Sequence, residues 1–164
     1  MRSFIDNQSR RWMITVNVGT IKRVRALCGV DLLTLIAFDE DTQRANTDLL
    51  EKLSTDPVLL VDVLYAVCKP EADAQNISDE DFGKAMCGDI IEDATRILLD
   101  EIVDFFPEAK RKVYQKILSA ARRFEKKQAA ALMEFINNEQ LDAEIDLQLE
   151  KLSDTFLNAP ESAE

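Results

Sequence analysis

No histidine occurs anywhere in this 164-residue chain. That removes the commonest general base, the Ser-His and Cys-His nucleophile pairs, and the usual imidazole metal ligand. Carboxylates, lysines and thiols remain. Cys28, Cys68 and Cys87 are odd in number, widely spaced and without a CxxC pair, so they make neither a disulfide framework nor a thiolate metal site. All three fall in apolar stretches expected to be helical and read as small buried hydrophobes. The acidic clusters Asp39-Glu40-Asp41 and Asp79-Glu80-Asp81 lack the alternate-residue oxygen ligands and sharp glycine turn of a calcium loop. They read as a solvated loop and a helix start. The four glycines form neither GxGxxG nor GxxxxGK, so no phosphate cradle is present. No catalytic, cofactor-binding or metal-ligating residue is assigned, and enzymatic activity is not expected.

The elements around these residues divide unequally. Arg2–Asp6 and Arg11–Val18 flank the polar connection Asn7-Gln8-Ser9-Arg10, the pattern of a β-hairpin. Period-two spacing puts Trp12, Ile14, Val16 and Val18 on one face of the second strand. Gly19-Thr20 then opens a helix with Ile21, Val24, Leu27 and Cys28 on one stripe and Gly29 as its C-cap; the simplest assembly packs that stripe on the Trp12 face. Val30–Phe38 suits either a short helix or a third strand, and a helix is expected over Thr47–Leu53. Asp56-Pro57 is an N-cap followed by a first-turn proline. It opens a helix over Val58–Lys69 that is apolar nearly all round except at Asp62, and such a helix is either central or covered by a partner.

Ser78 caps the next helix, and Gly88-Asp89 restarts another with Ile90, Ile91, Ala94, Ile97, Leu98, Ile102 and Phe105 inside, ended by Pro107. From Glu108 to Ile136 the pattern is one long amphipathic helix with Val113, Ile117, Ala120, Phe124, Ala131 and Phe135 along a stripe. Asn137-Asn138 signals a turn, and Leu141, Ile145, Leu149, Leu152 and Phe156 mark a further amphipathic segment. The two segments suit either an antiparallel helical hairpin or one helix paired with another chain. The expected fold is mainly α: an N-terminal β-hairpin, with three short strands as the alternative, packed on a helical bundle, then a C-terminal long helix or helical hairpin. In domain terms this is 1–107, then 108–157, with 158–164 a disordered tail.

Charge separates as sharply as structure. The net charge is −11, which favours solubility and opposes general nucleic-acid affinity. The first 28 residues and Lys110–Lys127 are nonetheless net positive, while Asp31–Asp104 and the end from Glu139 are acidic. The basic run Lys110, Arg111, Lys112, Lys116, Arg122, Arg123, Lys126 and Lys127 has the charge to track a phosphate backbone. It lacks an interleaved aromatic platform and reads instead as a solvated helix face. Apolar runs are short and broken by charge, and no signal peptide is visible, so neither a membrane span nor export is expected. The chain is expected to be cytoplasmic.

Binding surfaces are therefore the better candidates than chemistry. A strand edge recruits a partner strand and an apolar helix packs in a groove. The candidate protein-binding residues are Trp12 and Val16 at the hairpin and Leu59, Val63 and Val67 on the apolar helix.

Three blocks carry a family likeness. The first joins Arg11-Trp12 and its alternating strand to Ile21-Lys22-Arg23-Val24-Arg25 and Gly29-Val30-Asp31-Leu32-Leu33. The second is Asp56–Tyr65, and the third is Ile77-Ser78-Asp79-Glu80-Asp81-Phe82-Gly83. In this order, over about residues 4–107, the chain resembles the tail assembly chaperones encoded among phage and prophage tail genes. The resemblance implies a non-enzymatic factor of virion assembly, in the host cytoplasm, that binds the tape-measure or tail-tube protein. It transfers no individual binding residue. No cofactor is expected from the motifs, and the basic and acidic blocks suit surfaces that meet within the fold or across a homo-oligomer. The alternative is a small nucleic-acid-binding regulator using Lys22, Arg23, Arg25 and the Lys110–Lys127 face. A carboxylate-dependent hydrolase ranks last, because the acids fall on solvent faces.

Overall fold

The apolar helix opened by Asp56-Pro57 organises the first part of the molecule. The computed structural model describes residues 2–39, 44–136 and 143–151. The chain divides into two units, between Lys116 and Ile117, and each is described separately. The first holds β1 (Arg2–Ile5), β2 (Arg11–Ile14), α1 (Val18–Cys28), a 3-10 turn (Leu32–Thr34), β3 (Ala37–Asp39), β4 (Arg44–Asn46), α2 (Asp48–Thr55), α3 (Pro57–Ala74), α4 (Asp79–Lys84) and α5 (Asp89–Asp104). α6 (Glu108–Ile136) begins in it and continues into the second unit. The expected mainly-α fold with an N-terminal hairpin on helices is what the protein adopts. No helix among the described residues is long and apolar enough to cross a membrane.

Asp56 accepts hydrogen bonds from the Val58 and Leu59 amides and Pro57 occupies the first turn, so α3 starts where its cap dictates. It packs against α1, α2, α4, α5 and β2. Leu60, Val63, Leu64, Ala66, Val67, Cys68 and Ala72 are all buried. The helix runs on to Ala74, past the Lys69 end expected from sequence, with Pro70 inside it. Proline at that position cannot supply the N–H that the Ala66 carbonyl would receive, and its ring crowds that carbonyl. Arg23 on α1 resolves the conflict: its Nε donates to the Ala66 carbonyl at 2.6 Å and its Nη2 to the Val67 carbonyl at 3.1 Å. A residue offered by the nucleic-acid alternative thus completes the backbone bonding of the central helix.

The β1–β2 hairpin is built around Asp6. Its carboxylate accepts from the Gln8 and Arg10 amides, from Arg10 Nε at 2.6 Å and from the indole Nε1 of Trp12 at 2.8 Å. Ser9 takes φ 60° in the connection. The register pairs Phe4 with Trp12 and Arg2 with Ile14. Phe4, Trp12 and Ile14 are all buried, on the face that meets α3 and α5. Arg2 bridges Glu101 and Asp104 of α5 at 3.0 and 2.9 Å, and the Asn7 amide side chain donates to the Ala85 and Cys87 carbonyls.

Several boundaries move from their expected places. The second strand ends at Ile14 instead of Val18, because Asn17 turns the chain and caps α1 by accepting from the Thr20 amide. Val18 therefore starts a helix and lies exposed. α1 packs chiefly on α3, not on the hairpin, through Ile21 and Val24, while Leu27 on the expected stripe is exposed. Gly29 is the C-cap, at φ 68°, as its freedom from a Cβ permits. Val30–Phe38 supplies both alternatives: the 3-10 turn, capped by Asp31, and then β3. β3 pairs with β4 in a separate two-stranded sheet. On α5, Leu99 and Val103 join the interior, while Ile90, Ile91 and Phe105 are half-buried. Glu40 and Asp41 of the acidic loop, the Asn137-Asn138 turn and the 158–164 tail lie outside the described residues.

Two outcomes follow. Replacing Arg23 with Met should cost about 2 kcal/mol in urea denaturation, since a charged donor leaves two helix carbonyls. The cost should shrink in a Pro70→Ala background, where residue 70 regains an N–H for the Ala66 carbonyl. For Asp6, burial acts to raise the carboxyl pKa, but the hydrogen bonds from Trp12, Arg10 and Gln8 outweigh it and hold it below the ordinary value. Its stabilising contribution is therefore complete above the ordinary carboxylate pKa and is lost as pH falls below roughly 4 through the depressed folded value. Asp6→Asn should flatten that acid slope and cost about 2 kcal/mol at neutral pH, with the indole and guanidinium left short of an anion.

Candidate protein-binding surfaces

The residues singled out from sequence do not form one surface. Trp12 is fully buried, bonded to Asp6 and set edge-on against Phe82 at 4.9 Å between ring centroids. Arg10 lies over its ring at 5.5 Å. Its bulk and its one polar atom are both used inside the unit. Val63 and Val67 face the core, and only Val16 and Leu59 reach the surface in part. The three α3 residues share a stripe because they are spaced by one turn, and the core takes that stripe.

The edge of β2 is also occupied. Glu71 of α3 accepts from the Met13 amide at 3.0 Å, and the Cys68 thiol points at the Met13 carbonyl at 3.9 Å. Strand addition at Met13 is thereby blocked. Antiparallel pairs alternate in bonding direction, so an outward Met13 also directs the backbone groups of its register partner Ser3 away from β2. The outward row of β1 includes Ser3 and Ile5, the latter 52% exposed.

An apolar cleft of about 370 Å³ opens where the first turns of α3 and α5 meet α4. Val58, Val61, Met86 and Ile91 form its apolar lining, with Asp62 and Asp79 at the rim. Val58 is 71% exposed, because Asp56 and Pro57 fix it in the first turn of α3, on the side away from the core. Among the described residues neither Asp62 nor Asp79 has an ion pair. Burial, then the neighbouring charges of Asp79 and Asp56, pushes the Asp62 carboxyl above its ordinary value. Burial, then the charges of Asp62 and Asp79, pushes up the Cys28 thiol, which donates to the Asp62 carbonyl. The rim is an uncompensated negative field beside apolar surface, which suits a partner carrying both apolar groups and a cation. Asp62, the one charge interrupting the apolar α3 pattern, was the sequence signal for this place. Val58 carried none, since its exposure depends on where α4 and α5 pack.

Two other openings differ in character. One of about 320 Å³ beside Arg23 and Glu71 is lined by side chains already engaged with backbone groups. Another of about 630 Å³ lies between the 3-10 turn region and the start of α6, with Leu33, Ile36, Val113 and Tyr114 among its lining residues.

In α6 the stripe expected to be internal is largely at the surface. Val113 is 43%, Phe124 62% and Phe135 57% exposed, whereas the buried positions are Tyr114 and Leu118. Leu132 and Ile136 are exposed as well. Arg123 and Lys127 flank this stripe and Lys126 lies on the far side of the helix, and all three are exposed. In the helical segment 143–151, Ile145, Leu147 and Leu149 are all exposed as well.

The cysteines separate by environment. Cys68 is buried, and burial, then the Glu71 charge, pushes its thiol up to about 12. Cys28 is half-buried, and Cys87 is exposed instead of the buried hydrophobe expected, because it sits in the α4–α5 connection. Among the described residues no group of three or more acidic or cysteine side chains is placed to hold a metal ion. With a thiol-specific reagent near pH 8, Cys87 should react first, Cys28 slowly and Cys68 only on unfolding. A fast second equivalent from the folded protein would contradict this order.

Compared with known protein families, characterised proteins and solved structures, the chain matches none of them.

Proposed function

We propose that this protein is a non-enzymatic assembly factor of the phage tail assembly chaperone kind, which binds a helical segment of a tape-measure or tail-tube protein. The observation that carries the reading is the cleft at Val58, Val61, Met86 and Ile91, with Asp62 and Asp79 unpaired at its rim. An amphipathic helix with a lysine or arginine beside its apolar face would bury the one and neutralise the other. The acidic remainder of the chain would keep such a complex soluble while the client's apolar surface is covered. The resemblance over residues 4–107 supplies the class of client. The cleft supplies the mode of binding.

A nucleic-acid reading draws on the exposed Arg123, Lys126 and Lys127 of α6. It requires DNA affinity that falls steeply with salt, and no mobility shift at low salt eliminates it.

Co-expression with a tape-measure protein, and separately with a tail-tube protein, should give a stoichiometric complex with one of them. Val58→Asp, at an exposed helix start, should leave the circular dichroism unchanged and abolish that complex. Folded protein that captures neither client overturns the assignment. A complex indifferent to Val58→Asp overturns the cleft.

A further inference from the structure

The apolar stripe of α6 is a second surface, separate from the cleft. Ile117, Phe124 and Phe135 share one face with Ala120 and Ala131, and Phe124 and Phe135 are more than half exposed. From Ile117 to Phe135 this face is roughly 28 Å long. In proteins such an amphipathic helix gains most of its stability from packing its apolar face.

We infer that a second copy of this chain covers the stripe, with the two α6 helices antiparallel. The charges beside the stripe select that orientation. Lys116 and Glu134 are separated by about five full helical turns and therefore lie on the same flank of the stripe. Antiparallel packing brings like flanks of two helices together, so Lys116 meets the partner's Glu134 at one end and Glu134 meets the partner's Lys116 at the other. Parallel packing sets each flank against the opposite one, where Leu118, Glu125 and Leu132 lie, and forms neither pair. The same register sets Ile117 opposite the partner's Phe135 and Ala121 opposite the partner's Ala131, a large residue beside a large one and small beside small. Arg123 and Lys127, on the same flank, have stems long enough to turn their charges to water. The contact is two-fold symmetric and closes on itself, so it gives a dimer and not a filament.

Sedimentation velocity on the full chain across the micromolar to submillimolar range tests this. The wild type should be a dimer, and the pair Phe124→Asp with Phe135→Asp a monomer whose first unit still unfolds at the wild-type urea midpoint. Lys116→Glu alone and Glu134→Lys alone should each dimerise several-fold more weakly, while an equimolar mixture of the two should form a heterodimer at least as tight as wild type. A wild-type monomer overturns the inference, including one in which 143–151 folds back over the stripe or in which only a foreign helix binds it. A dimer unaffected by the two aspartates overturns the surface, and a mixture with no preference for the heterodimer overturns the antiparallel register. Val58→Asp leaves α6 untouched, so failure of the cleft and failure of the dimer are read separately.

Discussion

A central helix with a proline inside it has to find a hydrogen-bond donor elsewhere, and in this protein Arg23 is that donor. The last turn of α3 depends on the helix continuing past Pro70, and there Ala72 belongs to the core and Glu71 holds the hairpin edge. Were the helix to end at Lys69, both contacts would be lost. The guanidinium fork reaches two successive carbonyls from one side chain, a geometry that lysine cannot reproduce. It also ties α1 to α3 at the point where α3 would be weakest.

The hairpin follows the same logic with the charges reversed. Two strands of four residues are marginal alone, and Asp6 compensates by gathering the turn amides, Arg10 and the indole of Trp12 onto one buried carboxylate. An anion in such a place is tolerable only because every lone pair meets a donor. Trp12 then carries the order outward through its edge-on contact with Phe82 of α4. Its conspicuousness in the sequence reflects this structural role, not contact with a partner.

What remains for function is the surface these two networks leave uncovered. Glu71 closes the edge of β2 and the core claims Val63 and Val67, while accessible apolar groups include those at the start of α3 and along α6. Both surfaces carry charge nearby, acidic around the cleft and of both signs, Lys116 and Glu134 among them, beside the stripe of α6. Charge in such positions governs partner choice and encounter rate more than affinity.

Much of the architecture was legible because its causes are local. The caps at Asp56, Ser78 and Gly29, the break at Pro107 and the full span of α6 rest on hydrogen bonds and apolar periodicity within a few residues. Asn17 shows how near the limit some readings lie, since the alternation through Val18 looked like strand until one side-chain oxygen capped a helix. The division of apolar stripes into buried and exposed could not be read in the same way. Val63 and Phe124 look alike in sequence, yet one is fully buried and the other faces water. The sequence by itself determined the mainly helical character, the hairpin and the absence of histidine chemistry, because each depends on residue type and short spacing. The tertiary structure alone decided that Arg23 would serve carbonyls more than forty residues away, that Glu71 would close a strand edge, and that Val58 rather than Val67 would stay exposed. Such choices depend on which faces are brought together, and packing competition among distant segments, not local propensity, settles that.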